Sequence, residues 1–208
     1  MNIKERADAI IAALESVYPY AICSLKYTKP HELLISVRLS AQCTDARVNI
    51  VTESLFKKYP TLSSFAECDL SELSEDVKAC GFYKTKARNI KDAATMLINK
   101  YNGTIPDNID DLLKIPGVGR KSANLLLGDI YGKPAIVADT HCIRISNRLG
   151  FANSQDPYKV ELSLKEIIPP QKSSDFCHRL VLFGRQYCTA RKPSCDKCPI
   201  SDLCPKIQ

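Results

Sequence analysis

The sequence predicts an all-α protein, and three observations carry that prediction. Apolar residues recur at helical spacing in several segments, and few segments alternate with a period of two. The one short apolar run that can be read as a strand, residues 32–39 (ELLISVRL), has no partner strand or Asn-Gly turn nearby, so it too is assigned to a helix. Ile3, Ala7, Ile10, Leu14 and Val17 form one apolar face, stopped by Pro19. Ile90, Ala94, Leu97 and Tyr101 form another, ended by Asn102-Gly103. Ala123, Leu126, Leu127 and Ile130 form a third, closed by Gly132 and Pro134. The polar, proline-led stretch 169–174 (PPQKSS) reads as a loop between helices.

At 208 residues and 45% hydrophobic, the chain can bury a real core, as one domain or two small ones. The N-terminus runs directly into an amphipathic pattern, and no apolar stretch is long enough to span a bilayer. The expectation is a cytoplasmic protein with no membrane partner. The formal charge of +6 is unevenly spread: residues 1–132 hold 17 Lys/Arg against 16 Asp/Glu, whereas residues 133–208 hold 12 against 7. A basic C-terminal third suits a polyanion such as nucleic acid, although charge alone is weak support.

The ten cysteines fall into two sets. Cys23, Cys43, Cys68, Cys80, Cys142 and Cys177 are scattered, mostly beside apolar residues, and read as small buried hydrophobes. Cys188, Cys195, Cys198 and Cys204 crowd into 17 residues with the spacing C-x6-C-x2-C-x5-C. A structural zinc site usually shows two close pairs, and this pattern has one. Four thiolates in a compact loop can instead hold an iron–sulfur cluster, and spacing alone leaves both metals open.

The most informative segment runs from Asp110 to Asn124. A short helix should end near Lys114, Ile115-Pro116-Gly117-Val118-Gly119 should turn, and a second helix should start near Arg120. Amides at that helix start are then free to bind a phosphate oxygen, though an ordinary glycine-capped corner has the same spacing. Lys121 stands at that helix N-terminus beside Arg120, where partial desolvation is expected. In Ala138-Asp139-Thr140-His141, either Asp139 or Thr140 can cap the next helix.

The residues 112–121 (LLKIPGVGRK), with Asp139 downstream, resemble the helix–hairpin–helix of the endonuclease III family of DNA glycosylases. The likeness extends through Leu39-Ser40-Ala41-Gln42-Cys43-Thr44-Asp45, through Cys80-Gly81-Phe82-Tyr83, and through the four-cysteine pattern. It covers roughly residues 20–204 with the motifs in family order. The resemblance implies two helical domains, a six-helix unit over 22–133 and a second unit joining 1–21 to 134–208, the latter carrying a [4Fe–4S] loop at 188–204. It implies a bifunctional glycosylase and AP lyase acting on oxidised or ring-damaged pyrimidines in duplex DNA, or on the abasic site itself. Lys121 is then the nucleophile and Asp139 the essential carboxylate, facing each other, with Cys188, Cys195, Cys198 and Cys204 as cluster ligands.

A base must leave the stack before its sugar can be attacked. By the same resemblance, Gln42 and Phe82 fill the gap, with Asp45 also at the DNA, while Ile115, Gly117, Val118, Gly119 and Arg120 grip the backbone. His141 either contacts the extruded base or is simply packed, and Arg191 and Lys192 meet phosphates. A monomer is expected, associated with the nucleoid when bound to DNA. Two other readings remain: removal of adenine or mismatched thymine, and a non-enzymatic DNA-binding module. Arg38 and Cys43 have no rationale at this level.

Overall fold

A computed structural model describes residues 1–206, and every regular element among them is helical. Residues 207–208, the tip of the second domain expected over 134–208, lie outside the described residues. The chain divides into two compact units, Ser24–Tyr131 and Met1–Cys23 with Gly132–Gln208.

The Ser24–Tyr131 unit contains seven α-helices: α2 (Pro30–Ser40), α3 (Asp45–Lys58), α4 (Leu62–Glu67), α5 (Leu70–Asp76), α6 (Tyr83–Tyr101), α7 (Ile109–Leu112) and α8 (Arg120–Tyr131). The sequence led to an expectation of six. α6 is the central element, packed against α2, α4 and α5 through Ala87, Ile90, Ala93, Ala94 and Leu97. It ends where Asn102 turns left-handed ahead of Gly103. α2 is buried nearly all round by Leu33, Leu34, Ile35, Ser36 and Leu39, which is why its sequence lacks a clean polar face. Each such aliphatic side chain contributes roughly 1.5–3 kcal/mol through burial.

In the other unit, α1 (Ile3–Val17) packs on α10 (Pro157–Ile167) and α11 (Ser173–Gln186), which also cover α9 (Thr140–Arg148). Asn2 opens α1 with a full capping box to Glu5. The core joins Ile10 and Leu14 of α1 to Leu164, Phe176, Leu180 and Phe183. The loop expected at 169–174 is tighter than predicted. Pro170–Lys172 makes a single 3-10 turn and Ser173 already begins α11, because the Ser173 hydroxyl donates to the Pro170 carbonyl and so caps the turn.

Of the six scattered cysteines, Cys80, Cys142 and Cys177 are buried, but Cys23, Cys43 and Cys68 are only half-buried. No described helix is long and apolar enough to cross a membrane.

The start of α2 depends on one carboxylate. Glu32, nearly buried, accepts hydrogen bonds from the Thr28 amide at 2.7 Å, the Thr28 hydroxyl at 2.9 Å and the Lys29 amide at 3.1 Å. Burial alone would raise its pKa, but these bonds, with some help from neighbouring His31, hold it below the usual Glu value. Its stabilisation is therefore present above the ordinary Glu range and is lost as pH falls through the lowered value. Thermal melts of Glu32→Gln should show a loss of about 1–3 kcal/mol at neutral pH, shrinking in acid.

Candidate functional site: a glycine hairpin, two left-handed loops and a four-cysteine cage

Within the Ser24–Tyr131 unit the hairpin forms nearly where expected. α7 closes slightly early, at Leu112, and the chain turns through Lys114, whose amide donates to Asp111. The Val118 amide then donates to the Ile115 carbonyl at 3.0 Å, and α8 starts at Arg120. Only Gly117 of the two glycines uses the left-handed region, at φ +81°. A Cβ there would sit 2.6 Å from Arg38 Nε and 2.9 Å from the Asn89 amide nitrogen. Arg38 thus lies directly beneath the hairpin. With the Asn89 carbonyl turned toward it, Arg38 donates through Nε at 3.0 Å and through Nη2 at 2.8 Å. The sequence carried no signal for this brace, since Arg38 is 79 residues from Gly117.

Ile115 is buried, so its side chain anchors the turn and only its backbone is free to meet a ligand. Gly117 and Gly119 are exposed, and Val118 and Arg120 are half-exposed. Lys121 is exposed one residue into α8, which corrects the partial desolvation expected of it. At about 100° per residue, Lys121 lies more than about 100° around α8 from Ala123, Leu126 and Leu127, which form its buried face.

Two other loops of this unit present the residues assigned to gap filling. Gln42 (φ +54°) and Phe82 (φ +47°) both take the left-handed backbone region, and both side chains are exposed, Phe82 at 67%. A buried-core role for Phe82 is thereby excluded. Such a conformation costs a non-glycine residue roughly 1–2 kcal/mol, and it concentrates at functional positions. Asp45 does not cap α3. Thr44 does, its hydroxyl accepting from the Arg47 amide, and Asp45 occupies the first turn, where its charge suits the helix dipole.

In the other unit, Asp139 caps α9, with its Oδ1 accepting from the Cys142 amide at 2.7 Å. The cap fixes the carboxylate at the end of the buried run 135–138 and leaves it half-exposed. His141 is half-exposed: its Nδ1 faces Arg144 Nη2 at 3.1 Å, and its ring lies so close over Gly184 that a Cβ there would be 2.4 Å from Nδ1.

Cys188, Cys195, Cys198 and Cys204, all half-buried, line one cavity of about 480 Å³. Burial pushes the Cys198 thiol up, and the nearby thiols of Cys204, Cys188 and Cys195 add to the effect. Four thiols that line one cavity are the donor set that a multi-iron core takes. Two arginines of α9, which the sequence did not single out, hold this loop. Arg144 donates to the Cys188 carbonyl at 3.0 Å; Arg148 donates to the Thr189 carbonyl at 2.8 Å, the Ala190 carbonyl at 2.9 Å and the Cys188 sulfur at 3.3 Å. Arg191 and Lys192 are exposed on the loop.

Residues 35–170 match the HhH-GPD superfamily of base excision DNA repair proteins, and residues 188–204 match the iron–sulfur binding domain of endonuclease III. The chain is 42% identical to endonuclease III of Bacillus subtilis, over 98% of this chain and 93% of that protein. It is 38% identical to that of Escherichia coli K12, over 98% and 96%. The chain belongs to the endonuclease III family. It is accordingly a base-excision repair enzyme, a DNA N-glycosylase with AP-lyase activity, and its cofactor is a [4Fe–4S] cluster. A solved trapped covalent intermediate of endonuclease III with DNA superposes with a TM-score of 0.92 at 45% identity, covering 99% of this chain and 97% of that one. A thermostable thymine-DNA glycosylase superposes at 0.86 with 26% identity, covering 98% and 97%.

The hairpin geometry makes a differential prediction. Gly117→Ala is strained by its positive φ and displaces Arg38, so it should cost about 1–3 kcal/mol in thermal stability and weaken binding to a duplex with an abasic-site analogue. Gly119→Ala meets nothing within 4 Å and should melt close to the parent protein.

Proposed function

We propose that the enzyme excises oxidised or ring-damaged pyrimidines from duplex DNA and then cuts the strand 3′ to the abasic site. In this reading Lys121 is the nucleophile and Asp139 the essential carboxylate. One observation carries it: an exposed primary amine stands one residue into α8, immediately after a glycine hairpin whose backbone is open to phosphate.

Gly117, Gly119 and the first amides of α8 grip the phosphate backbone, with Arg120 adding charge. Phe82 and Gln42 enter the duplex where the damaged nucleotide has left, and Asp45 lies with them at the DNA. Bound DNA excludes water from around Lys121. The free amine attacks C1′ and expels the base. Asp139 helps to deprotonate the attacking group or stabilises positive charge that develops on the sugar. The sugar ring then opens at O4′, which takes up a proton, and leaves an iminium at C1′; the iminium acidifies the C2′ proton, whose loss expels the 3′ phosphate by β-elimination.

Cys188, Cys195, Cys198 and Cys204 would hold the cluster, which when bound locks the loop's shape and bears a net charge near −2 with its thiolates. Arg191 and Lys192 then reach phosphates, while His141 supports the start of α9 from within its own unit. The enzyme works as a cytoplasmic monomer at the nucleoid. The two domains correspond to 22–133 and to 1–21 with 134–208.

Removal of mismatched thymine is the second reading, because the same fold occurs in a thymine-DNA glycosylase. An amine competent for a Schiff base favours the lyase-coupled reaction. A panel of duplexes with single oxidised pyrimidines, adenine mispairs or thymine mispairs separates the two by single-turnover excision.

Borohydride should trap a covalent complex with DNA bearing an abasic site or an oxidised thymine. Lys121→Ala should abolish trapping and leave binding to the same duplex within about threefold, since one exposed amine adds little ground-state affinity. An adduct that survives this substitution would reassign the nucleophile.

Iron and sulfide analysis should give four of each per purified chain, and Cys198→Ala should lose them together with several degrees of thermal stability. Stoichiometric zinc without iron would refute this ligand assignment.

A further inference from the structure

Lys86 is 1% exposed, an unusual place for an ammonium group. Its Nζ donates to two main-chain carbonyls, that of Leu39 at 2.8 Å and that of Cys80 at 2.7 Å. These carbonyls belong to different elements. Leu39 lies in the last turn of α2, and Cys80 ends the 3-10 turn Lys78–Cys80. The final carbonyls of a helix have no partner within it, and they form the negative end of its dipole. One cation therefore caps two helical C-termini.

Each capped carbonyl lies just ahead of a strained, exposed residue. Three residues past Leu39 stands Gln42, and two residues past Cys80 stands Phe82. Both are in the left-handed region, and both are exposed. The only other non-glycine residues there among the described positions are Asn102, a residue that tolerates the conformation, and Lys206, close to the chain end. The Lys86 amide also donates to the Phe82 carbonyl at 3.0 Å, so the Phe82 turn is held from both sides by one residue. The Cys43 thiol, next to Gln42, is near enough to the Cys80 thiol to help raise its pKa, so the two loops lie close together. Both side-chain partners of Lys86 are neutral, and burial lowers its affinity for the proton. An apolar residue of similar volume would avoid the desolvation cost of a buried ammonium. Stability by itself does not account for a lysine here.

We propose that Lys86 is a positioning residue for base extrusion: by capping both helix ends at once, it holds Gln42 and Phe82 in the strained, outward conformations from which they enter the duplex. The inference rests on the proposed role of Gln42 and Phe82 in filling the vacated space. Lys86 itself touches no DNA, being buried, and acts only through the two loops.

The test uses the cluster-bound enzyme and two forms of one substrate: an abasic site in a duplex, and the same strand alone. Gap filling matters only in the duplex, so the ratio of single-turnover cleavage rates isolates it. Lys86→Met should slow duplex cleavage by about tenfold or more and change single-strand cleavage by less than about threefold; a general loss of structure would lower both together. Phe82→Ala should show the same duplex-specific signature, and Phe82→Ala with Lys86→Met should be little worse than Phe82→Ala alone, because the two act through one element. A 2-aminopurine placed opposite the abasic site should lose its binding-induced fluorescence change in both single variants. Lys86→Arg, which keeps a cation, should recover part of the duplex rate. If Lys86→Met does not melt cooperatively, Lys86→Gln, too short to reach both carbonyls, carries the same comparison. An unchanged duplex-to-single-strand ratio in the Lys86 variants, with Phe82→Ala still duplex-specific, overturns the positioning role. An unchanged ratio in both Phe82→Ala and Gln42→Ala instead overturns the gap-filling role on which it rests.

Discussion

The last turn of α2 carries backbone carbonyls that the helix cannot satisfy, and much of the Ser24–Tyr131 unit is arranged around that constraint. Lys86 meets the Leu39 carbonyl from α6. Arg38, one residue earlier, turns the other way and fills the space beneath Gly117. Beyond Ser40 the chain turns left-handed at Gln42. The hairpin, the Gln42 loop and the Phe82 loop are thus tied within one unit to the C-terminal end of one buried helix. Two buried or half-buried cations do this with neutral partners, which keeps the exposed charge of the site available for phosphate.

In the other unit, α9 plays a comparable part over nine residues. Asp139 caps its start and is fixed by that cap, so the carboxylate is oriented at no extra conformational cost. Arg144 and Arg148, on successive turns, reach the carbonyls of Cys188, Thr189 and Ala190 and so hold the first strap of the cysteine loop. Successive turns of a helix share a face, and that spacing lets both guanidinium groups converge on one loop. Gly184 leaves room for His141 and Arg144 to approach the backbone of α11.

The residues assigned to DNA repair are also those that break local rules. Phe82 is a large apolar side chain left in solvent on a strained backbone, and Gln42 shares that strain. Lys86 is a charge kept in the core. Natural sequences carry such violations where function requires them, and neighbouring interactions offset the cost.

Helix existence and most helix ends were legible in the sequence, because periodicity, caps and breakers act over a few residues. Pro19, Asn102-Gly103 and Gly132 stop helices at their own positions. The four-cysteine spacing and the hairpin motif were equally local, so the family resemblance, and through it the cofactor, could be read from them. The rest depended on contacts distant in sequence. Arg38 meets Gly117 and Lys86 meets Leu39 only after folding, so neither role left a local pattern. Exposure, too, is a tertiary property. The sequence suggested a partly desolvated Lys121, yet the apolar face of α8 turns that residue to solvent. Phe82 is exposed on a left-handed turn that Lys86 holds, and no local pattern marks that either. The sequence by itself determined which chemistry the protein carries; the fold decided which side chains are free to perform it and which are used to hold them there.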